Sequence, residues 1–360
     1  MHLIPERMAR LRRSLELALN QEWPLLESTK RRLVGRATLT SIPEGVGDLA
    51  VPVVATVATD GGENRLNLEP IRLQVLRVAD STGDVFFEDF IAQSLTSDEI
   101  LRFFFKSNPR LQRFLAYLEL QWEDLLPQSD FQLSHLLSML RELMEWAALL
   151  RLASRPPLKV LIRDGLLRSV LLTEKVFARM RDRLEEATKK HGHLLVGVAK
   201  RSRVVNYLSV AFSISDTFSG GEPSYIAVPP ELEREAAPDQ YRWIGSRAMG
   251  LLHIARLDHG NSVPLLPVDV AVWQGDRIPE AMGRLHESAR GSFPVRGYPQ
   301  PLFLAHEHAH LGGLEVEVLE SMMLEQLSIH DPAAARVARE LRLLGKRIAE
   351  ATRHDEQDEP

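Results

Sequence analysis

Two short apolar runs that each end in Asp-Gly constrain the fold of this chain most strongly. The runs VPVVATVATD and LKVLIRD are rich in branched residues, which is typical of buried β-strands, and they end at Asp60 and Asp164. Two further runs of the same character, HLLVGVAK and VPLLPVDVAVWQ, follow later in the chain. Segments with apolar residues at helical spacing lie between them. This alternation predicts an α/β fold with a mixed sheet flanked by helices.

The other segments predict the domain organisation. Residues 5 to 35 are amphipathic and indicate a helical N-terminal segment over 1–45, in which the apolar face packs. A core domain over 46–330 begins with a β meander, carries a helical insertion at about 96–130, and includes a Gly-, Pro- and Ser-rich loop over 216–239. Residues 331–360 are predicted to form a C-terminal helix that ends in a disordered acidic tail, RHDEQDEP.

Composition narrows the class of protein. The 360-residue chain contains no cysteine, which excludes disulfides and thiolate-bound metals, so oxygen or imidazole must hold any metal. A net charge of −5 argues against a uniformly basic surface that coats nucleic acid. No run approaches the ~20 apolar residues that span a bilayer, and the N-terminus lacks the apolar core of a signal peptide. We therefore expect a cytoplasmic protein without a membrane partner.

The repeated strand-end aspartates point to a metal site. A single strand-terminal Asp-Gly is more often a turn or a helix cap than a ligand. Two such ends, together with an acidic residue from the helix before the second strand, would place several carboxylates at one edge of the sheet. Hard divalent cations such as Mg²⁺ and Mn²⁺ take oxygen ligands, and a pair of them can activate water and stabilise the leaving oxygen of a phosphodiester.

In its ordered series of motifs the chain resembles the NurA family of DNA-repair nucleases. The series consists of ATDGG, LRELMEW, VLIRDGLL, VGVAKRS and GYPQPLFLAH, and it covers roughly residues 45 to 325. One departure is Gly62, since the family commonly has a small hydroxylic residue after the first Asp-Gly. The resemblance implies an RNase H-like sheet and makes 46–330 a NurA-like nuclease domain.

The resemblance also assigns the site residue by residue. It implies metal ligation by Asp60, Glu145, Asp164 and His306, with Tyr298 completing the catalytic set. Tyr298 lies eight residues before His306, which agrees with the pairing of these groups in the family. Without the family, a histidine on a helical segment and a tyrosine next to proline are more often packing or solvated residues.

Two assignments carry open alternatives. Glu142 lies about one helical turn before Glu145 and could face the same way, although Glu145 has the family-like Glu-Trp context. Lys200, at the end of its strand, could bind a DNA phosphate, and a solvent-exposed lysine is an equally good interpretation.

The resemblance further implies cofactors and partners. These are Mn²⁺ or Mg²⁺, with two ions per site, and the ends of single- and double-stranded DNA as substrate. The family degrades DNA in the 5′ to 3′ direction, with single-strand endonuclease action as a further possibility, during end resection in double-strand break repair. It works as a homodimer docked on a hexameric HerA-type ATPase.

Two other functions compete with a nuclease. The segment HEHAH, from His306 to His310, satisfies H-E-x-x-H, the pattern of a zinc peptidase, with Glu317 or Glu320 as candidate third ligand. Gly312-Gly313 would weaken the helix that this pattern needs. A zinc peptidase would also give the two strand-end aspartates no catalytic or metal-binding role. The second alternative is a non-catalytic platform for an ATPase, which the loss of an acidic ligand would mark; every position of the series here is filled by a chemically competent residue.

Overall fold

A nine-stranded mixed sheet forms the centre of the described part of the chain. The structure is a computed structural model, and it describes residues 5–43, 55–68, 71–92, 96–127, 135–200, 203–215, 217–236 and 247–355. The strands, in chain order, are β1 Leu39–Ser41, β2 Ala55–Leu68, β3 Ile71–Asp80, β4 Val85–Ala92, β5 Lys159–Asp164, β6 Leu194–Val198, β7 Ser224–Ala227, β8 Gly250–Arg256 and β9 Leu266–Ala271.

The strand order places the two aspartate-bearing strands side by side near the middle of the sheet. The order is β1-β7-β8-β9-β6-β5-β2-β3-β4. Strands β2, β3 and β4 form an antiparallel meander. Strand β5 runs parallel to β2, and β6 runs parallel to β5. The remaining neighbours, from β6 and β9 outward to β7 and β1, pair antiparallel.

Helices cover both faces of the sheet. They are α1 Pro5–Val34, α2 Ser97–Ser107, α3 Pro109–Tyr117, α4 Leu136–Ala153, α5 Glu174–His191, α6 Arg203–Ser213, α7 Pro230–Ala236, α8 Ile278–Ala289, α9 Gln300–Ala309, α10 Gly313–His330 and α11 Pro332–Asp355. Within the described ranges, no helix is long and apolar enough to cross a membrane.

The alternation of side chains along β5 explains the two layers. Leu161 belongs to the apolar core shared with α4 and α5, which includes the fully buried Trp146. Val160 and Ile162 point to the opposite face and share a core with α8 and α9. A strand buried on both faces must be apolar throughout, which is why KVLIRD carries polar groups mainly at its ends.

The structure corrects several boundaries predicted from the sequence. Strand β2 does not end at Asp60 but continues to Leu68, because its second half pairs with β3 over its whole length. The predicted loop over 216–239 contains β7 and α7 in its described part. Pairing with β7 brings β1, within the N-terminal segment, into the sheet. The insertion is two helices and a 3-10 turn up to Leu125, since Asn108 and Pro109 begin a new helix.

The C-terminal tail also differs in part from the prediction. Helix α11 continues to Asp355, so the first three residues of the segment predicted to be disordered are helical. Residues 356–360 lie outside the described residues, as do 44–54, which include the domain boundary and the start of the predicted strand VPVVATVATD, and 128–130 at the end of the predicted insertion.

Candidate metal centre

Strand register brings the first two carboxylates together. Thr59 of β2 lies opposite Arg163 of β5 in the parallel ladder, so Asp60 and Asp164 are the next residues on adjacent strands. Strand β5 ends at Asp164, and Gly165 turns the chain with a φ of 118°, a left-handed conformation that favours glycine. The Asp-Gly pair at this edge therefore has a conformational reason as well as a chemical one.

Helix α9 supplies the third group. His306 Nδ1 lies 2.7 Å from Oδ2 of Asp60, while Oδ1 of the same carboxylate accepts a hydrogen bond of 2.7 Å from the amide of Gly61. The helix can approach β2 closely because Gly62 has no side chain: a Cβ there would collide with the carbonyl group of Ala309. Gly62 is thus the position at which the backbone of α9, the helix that carries His306, packs directly against β2.

Asp60, Asp164 and His306 could hold a metal ion. One ligand atom from each lies within 4.8 Å of the other two, and this is the one such group of acidic and imidazole side chains among the described residues. Burial raises the pKa of Asp164, as does the nearby charge of Asp60, while Lys200 opposes the shift. Two partly desolvated carboxylates repel each other, and a bound cation would relieve that repulsion. The two carboxylates suit a hard cation such as Mn²⁺ or Mg²⁺, and the imidazole would add one nitrogen donor.

Glu145 lies beside this group rather than within it. Its side chain is 4% exposed and accepts from Arg141 at 2.9 Å and from Arg163 at 3.4 Å. A Cβ at Gly61 would come within 2.5 Å of Glu145 Oε1, so the carboxylate rests directly on β2 next to Asp60. Burial raises the pKa of Glu145 to about 7, although Arg141 and Arg163 act in the opposite direction.

Glu142 faces the same buried region but has different partners. It accepts hydrogen bonds from Trp146 Nε1 at 3.3 Å, from Arg163 at 3.1 Å and from Ser169 at 3.1 Å. These contacts make it part of a buried polar network that fixes Arg163. The structure thus shows different surroundings for the two glutamates that the sequence left as alternatives, with Glu145 next to Gly61.

Tyr298 and Lys200 lie on the Asp164 side. Lys200 Nζ is 2.9 Å from Asp164 Oδ2 and 5.4 Å from the centre of the Tyr298 ring. The Tyr298 hydroxyl is buried close to Asp164 but forms no hydrogen bond of good geometry within the described part of the chain. Burial raises the pKa of Tyr298, and the negative charges of Asp164 and Asp60 raise it further. A buried hydroxyl without a well-formed hydrogen bond is costly, so this group is suited to a ligand that enters the site.

The zinc-peptidase pattern is not arranged as that function requires. Helix α9 ends at Ala309, and His310 is an extended C-cap residue rather than the next helical position. The rings of His306 and His310 lie edge to face with 4.3 Å between centroids. His306 instead binds Asp60. Of the two candidate third ligands, Glu320 forms an ion pair with Arg342.

Two arginines of the site, Arg141 and Arg163, were not predicted from the sequence. Arg141 lies one helical turn before Glu145, a spacing that forms ion pairs on a helix, and it also donates to the carbonyl of Gly61 at 2.7 Å. Arg163 is buried in β5, stacks on Trp146 with 4.4 Å to the ring centroid and bonds both glutamates. A charged residue in the apolar run KVLIRD was the available signal.

The fold and site define a mixed α/β protein with a centre of two carboxylates and one imidazole suited to a hard divalent cation. The NurA domain model matches residues 54–239, more than half of the chain. The chain belongs to the NurA family.

Solved NurA structures are similar to this chain at low sequence identity. The NurA nuclease from Sulfolobus solfataricus is 16% identical, with a TM-score of 0.48, over 91% of this chain and 98% of that one. A NurA with manganese is 13% identical, with a TM-score of 0.40, over 89% and 98%. A NurA bound to dAMP and manganese is 13% identical, with a TM-score of 0.38, over 85% and 94%. Among curated proteins, none matches the sequence significantly.

Proposed function

We propose that this protein is a Mn²⁺-dependent DNA nuclease that hydrolyses phosphodiester bonds at the centre formed by Asp60, Asp164 and His306. The observation that carries the proposal is the approach of their ligand atoms to within 4.8 Å, in a chain of the NurA family. Glu145, buried beside Asp60, is proposed as a fourth ligand that leaves its arginine partners when the site is loaded. Two ions per site, Mn²⁺ or Mg²⁺, form part of the proposal.

The side chains divide the chemistry between them. Bound Mn²⁺ supplies positive charge that polarises the scissile phosphate. Asp60 orients the imidazole of His306 through Nδ1, which would leave the other ring nitrogen to bind the cation. Tyr298 keeps its proton, because its pKa is raised, and so can donate a hydrogen bond to a phosphate oxygen. Lys200, 38% exposed at the side chain, is the proposed phosphate contact.

The wider role is proposed from the family and the topology. The segment β4-β3-β2-β5-β6, an antiparallel meander followed by two parallel strands, supports an RNase H-like core. We place the protein in the resection of DNA ends during double-strand break repair, with 5′ to 3′ exonuclease and single-strand endonuclease action. A homodimer bound to a hexameric HerA-type ATPase is its proposed assembly.

The test is cleavage of end-labelled linear DNA with Mn²⁺, Mg²⁺, Zn²⁺ or EDTA. Asp60→Ala and Asp164→Ala should each slow Mn²⁺-dependent release of label by at least about a hundredfold, since several kcal/mol of charge stabilisation depends on the bound cation. His308→Ala is the matched control, because His308 is exposed on the same helix as His306. Wild-type rates in Asp60→Ala would refute the site. No cleavage with any metal, even with a HerA-type ATPase and ATP, would favour the platform.

A further inference from the structure

A second cleft lies away from the metal centre and is lined by arginine and aromatic side chains. It is a cavity of about 540 Å³ between β4, α3 and α4, within the usual range of small-ligand sites of roughly 300 to 1,000 Å³. Its four guanidinium groups, which define the arginine cleft, belong to Arg110, Arg113, Arg151 and Arg155. Among the described residues, no acidic side chain lines it.

The arginines of the cleft are not neutralised by carboxylates. Arg110 donates to the carbonyl of Phe86, Arg113 donates to the carbonyl of Pro109 at 3.2 Å, and Arg151 lies 5.2 Å from the Phe86 ring centroid. No ion pair is found for any of the four within the described ranges. In a chain of net charge −5, four unpaired cations around one cavity form a local positive field that attracts anions.

Aromatic and apolar groups form the rest of the cleft. Phe86, Phe114 and Tyr117 line it, together with Met144. Tyr117 is 45% exposed and has the guanidinium of Arg183 over its ring, 5.0 Å from the centroid, whereas Phe86 and Phe114 are each 9% exposed. Guanidinium groups bind phosphate through paired donors, and nucleic-acid bases stack on aromatic rings and on arginine. A nucleotide carries both of these groups, a phosphate and a planar base, joined by its sugar.

The arginine cleft is separate from the metal centre. Glu145 and Arg151 share helix α4 and are six positions apart, which corresponds to about 9 Å along the axis and a turn of about 240° around it. Glu145 contacts β2 at Gly61, whereas Arg151 contacts Phe86 of β4. A group held in the cleft is therefore not at the candidate metal ligands.

We propose that the arginine cleft binds a nucleotidyl group, with its phosphate on the arginines and its base on the aromatic side chains. The group has two sources of the same chemistry: a free mononucleotide, or one nucleotide of a single strand. Binding at this cleft requires no metal and does not depend on the proposed catalytic role of Asp60.

The test measures binding by the whole protein in EDTA. The probes are dAMP, by calorimetry, and a fluorescein-labelled strand of ten thymidines, by anisotropy. Arg113→Ala/Arg155→Ala should weaken binding of the recognised probe by about tenfold or more, because two charge-assisted contacts are lost. Arg181→Ala, which removes an arginine paired with Asp182 on the exposed face of α5, is the matched control and should change affinity less than about twofold.

The outcomes separate the two sources and the two proposals. Loss of dAMP binding in the double variant identifies a free nucleotide, and loss of strand binding alone identifies a strand; both support the cleft. Strand binding should also lose salt dependence, by about 1.4 in the slope of log Kd against log salt for two phosphate contacts. The proposal for the arginine cleft would be overturned if the wild type bound neither probe. It would also be overturned if a folded double variant bound the recognised probe with an affinity within about twofold of wild type. Cleavage by Asp60→Ala at wild-type rates would refute only the metal centre.

Discussion

Glu145→Gln tests the electrostatics of the site in the metal-free protein. The side chain is buried, and burial raises its pKa to about 7 in the folded protein from an ordinary value of 4.5. At about 1.4 kcal/mol per pKa unit, this difference corresponds to about 3 kcal/mol. Glutamine has nearly the shape of the protonated acid but does not titrate, so the variant isolates the cost of ionising Glu145 inside the fold.

Proton linkage gives the direction in which the free energy of unfolding changes with pH. Because the folded-state pKa is raised, the unfolded chain releases the Glu145 proton near pH 4.5 while the folded protein retains it until about pH 7. Unfolding therefore becomes easier as pH rises through this window, and the loss is complete above pH 7. The advantage of Glu145→Gln in free energy of unfolding should grow by about 3 kcal/mol between about pH 4 and pH 8.

The assay is urea denaturation in EDTA at several pH values, for wild type and Glu145→Gln. Glu186→Gln, an exposed glutamate of α5, is the matched carboxyl-to-amide control. A difference between wild type and Glu145→Gln that stays constant within about 0.5 kcal/mol across this range would refute the reasoning. If Glu145 ligates Mn²⁺, saturating Mn²⁺ at pH 8 should stabilise the wild type more than the variant, since the ion favours the carboxylate.

The remaining predictions concern packing and the site. Gly62→Ala should destabilise the protein by about 1–3 kcal/mol through its collision with α9, whereas Gly313→Ala, which meets nothing, should lie within about 0.5 kcal/mol of wild type in urea denaturation. Asp269→Ala should cost about 3–5 kcal/mol, because its fully buried carboxylate pairs with a buried arginine; a loss below about 1 kcal/mol would contradict this. Lys200→Ala should weaken DNA binding across all sequences equally, measured by anisotropy in EDTA, and unchanged affinity would exclude the phosphate contact. His310→Ala should retain most cleavage of end-labelled DNA, and complete loss of that cleavage would place His310 in the catalytic site.

Local pattern determined the interior strands and the carboxylates that they carry. Runs of branched apolar residues are typical of strands buried on both faces, so β5, β6 and β9 could be predicted from the local sequence alone. The ordered motifs predicted the family, which the domain match over residues 54–239 confirms. Short strands such as β7, inside a Gly- and Pro-rich stretch, lack such a pattern because their partners, rather than their own residues, stabilise them.

Only the tertiary structure decided how the site is assembled. Sequence named Asp60 and Asp164 as strand ends, but their proximity follows from the parallel register of β2 and β5, and β2 itself continues beyond Asp60. The approach of α9 across Gly62, 244 residues from His306 along the chain, depends on packing between backbones that no local pattern encodes. Of the two arginine partners of Glu145, Arg141 lies four residues earlier on the same helix, whereas Arg163 reaches it from strand β5 and depends on the tertiary packing. Local residue preferences fix elements, whereas long-range packing and register fix which side chains meet.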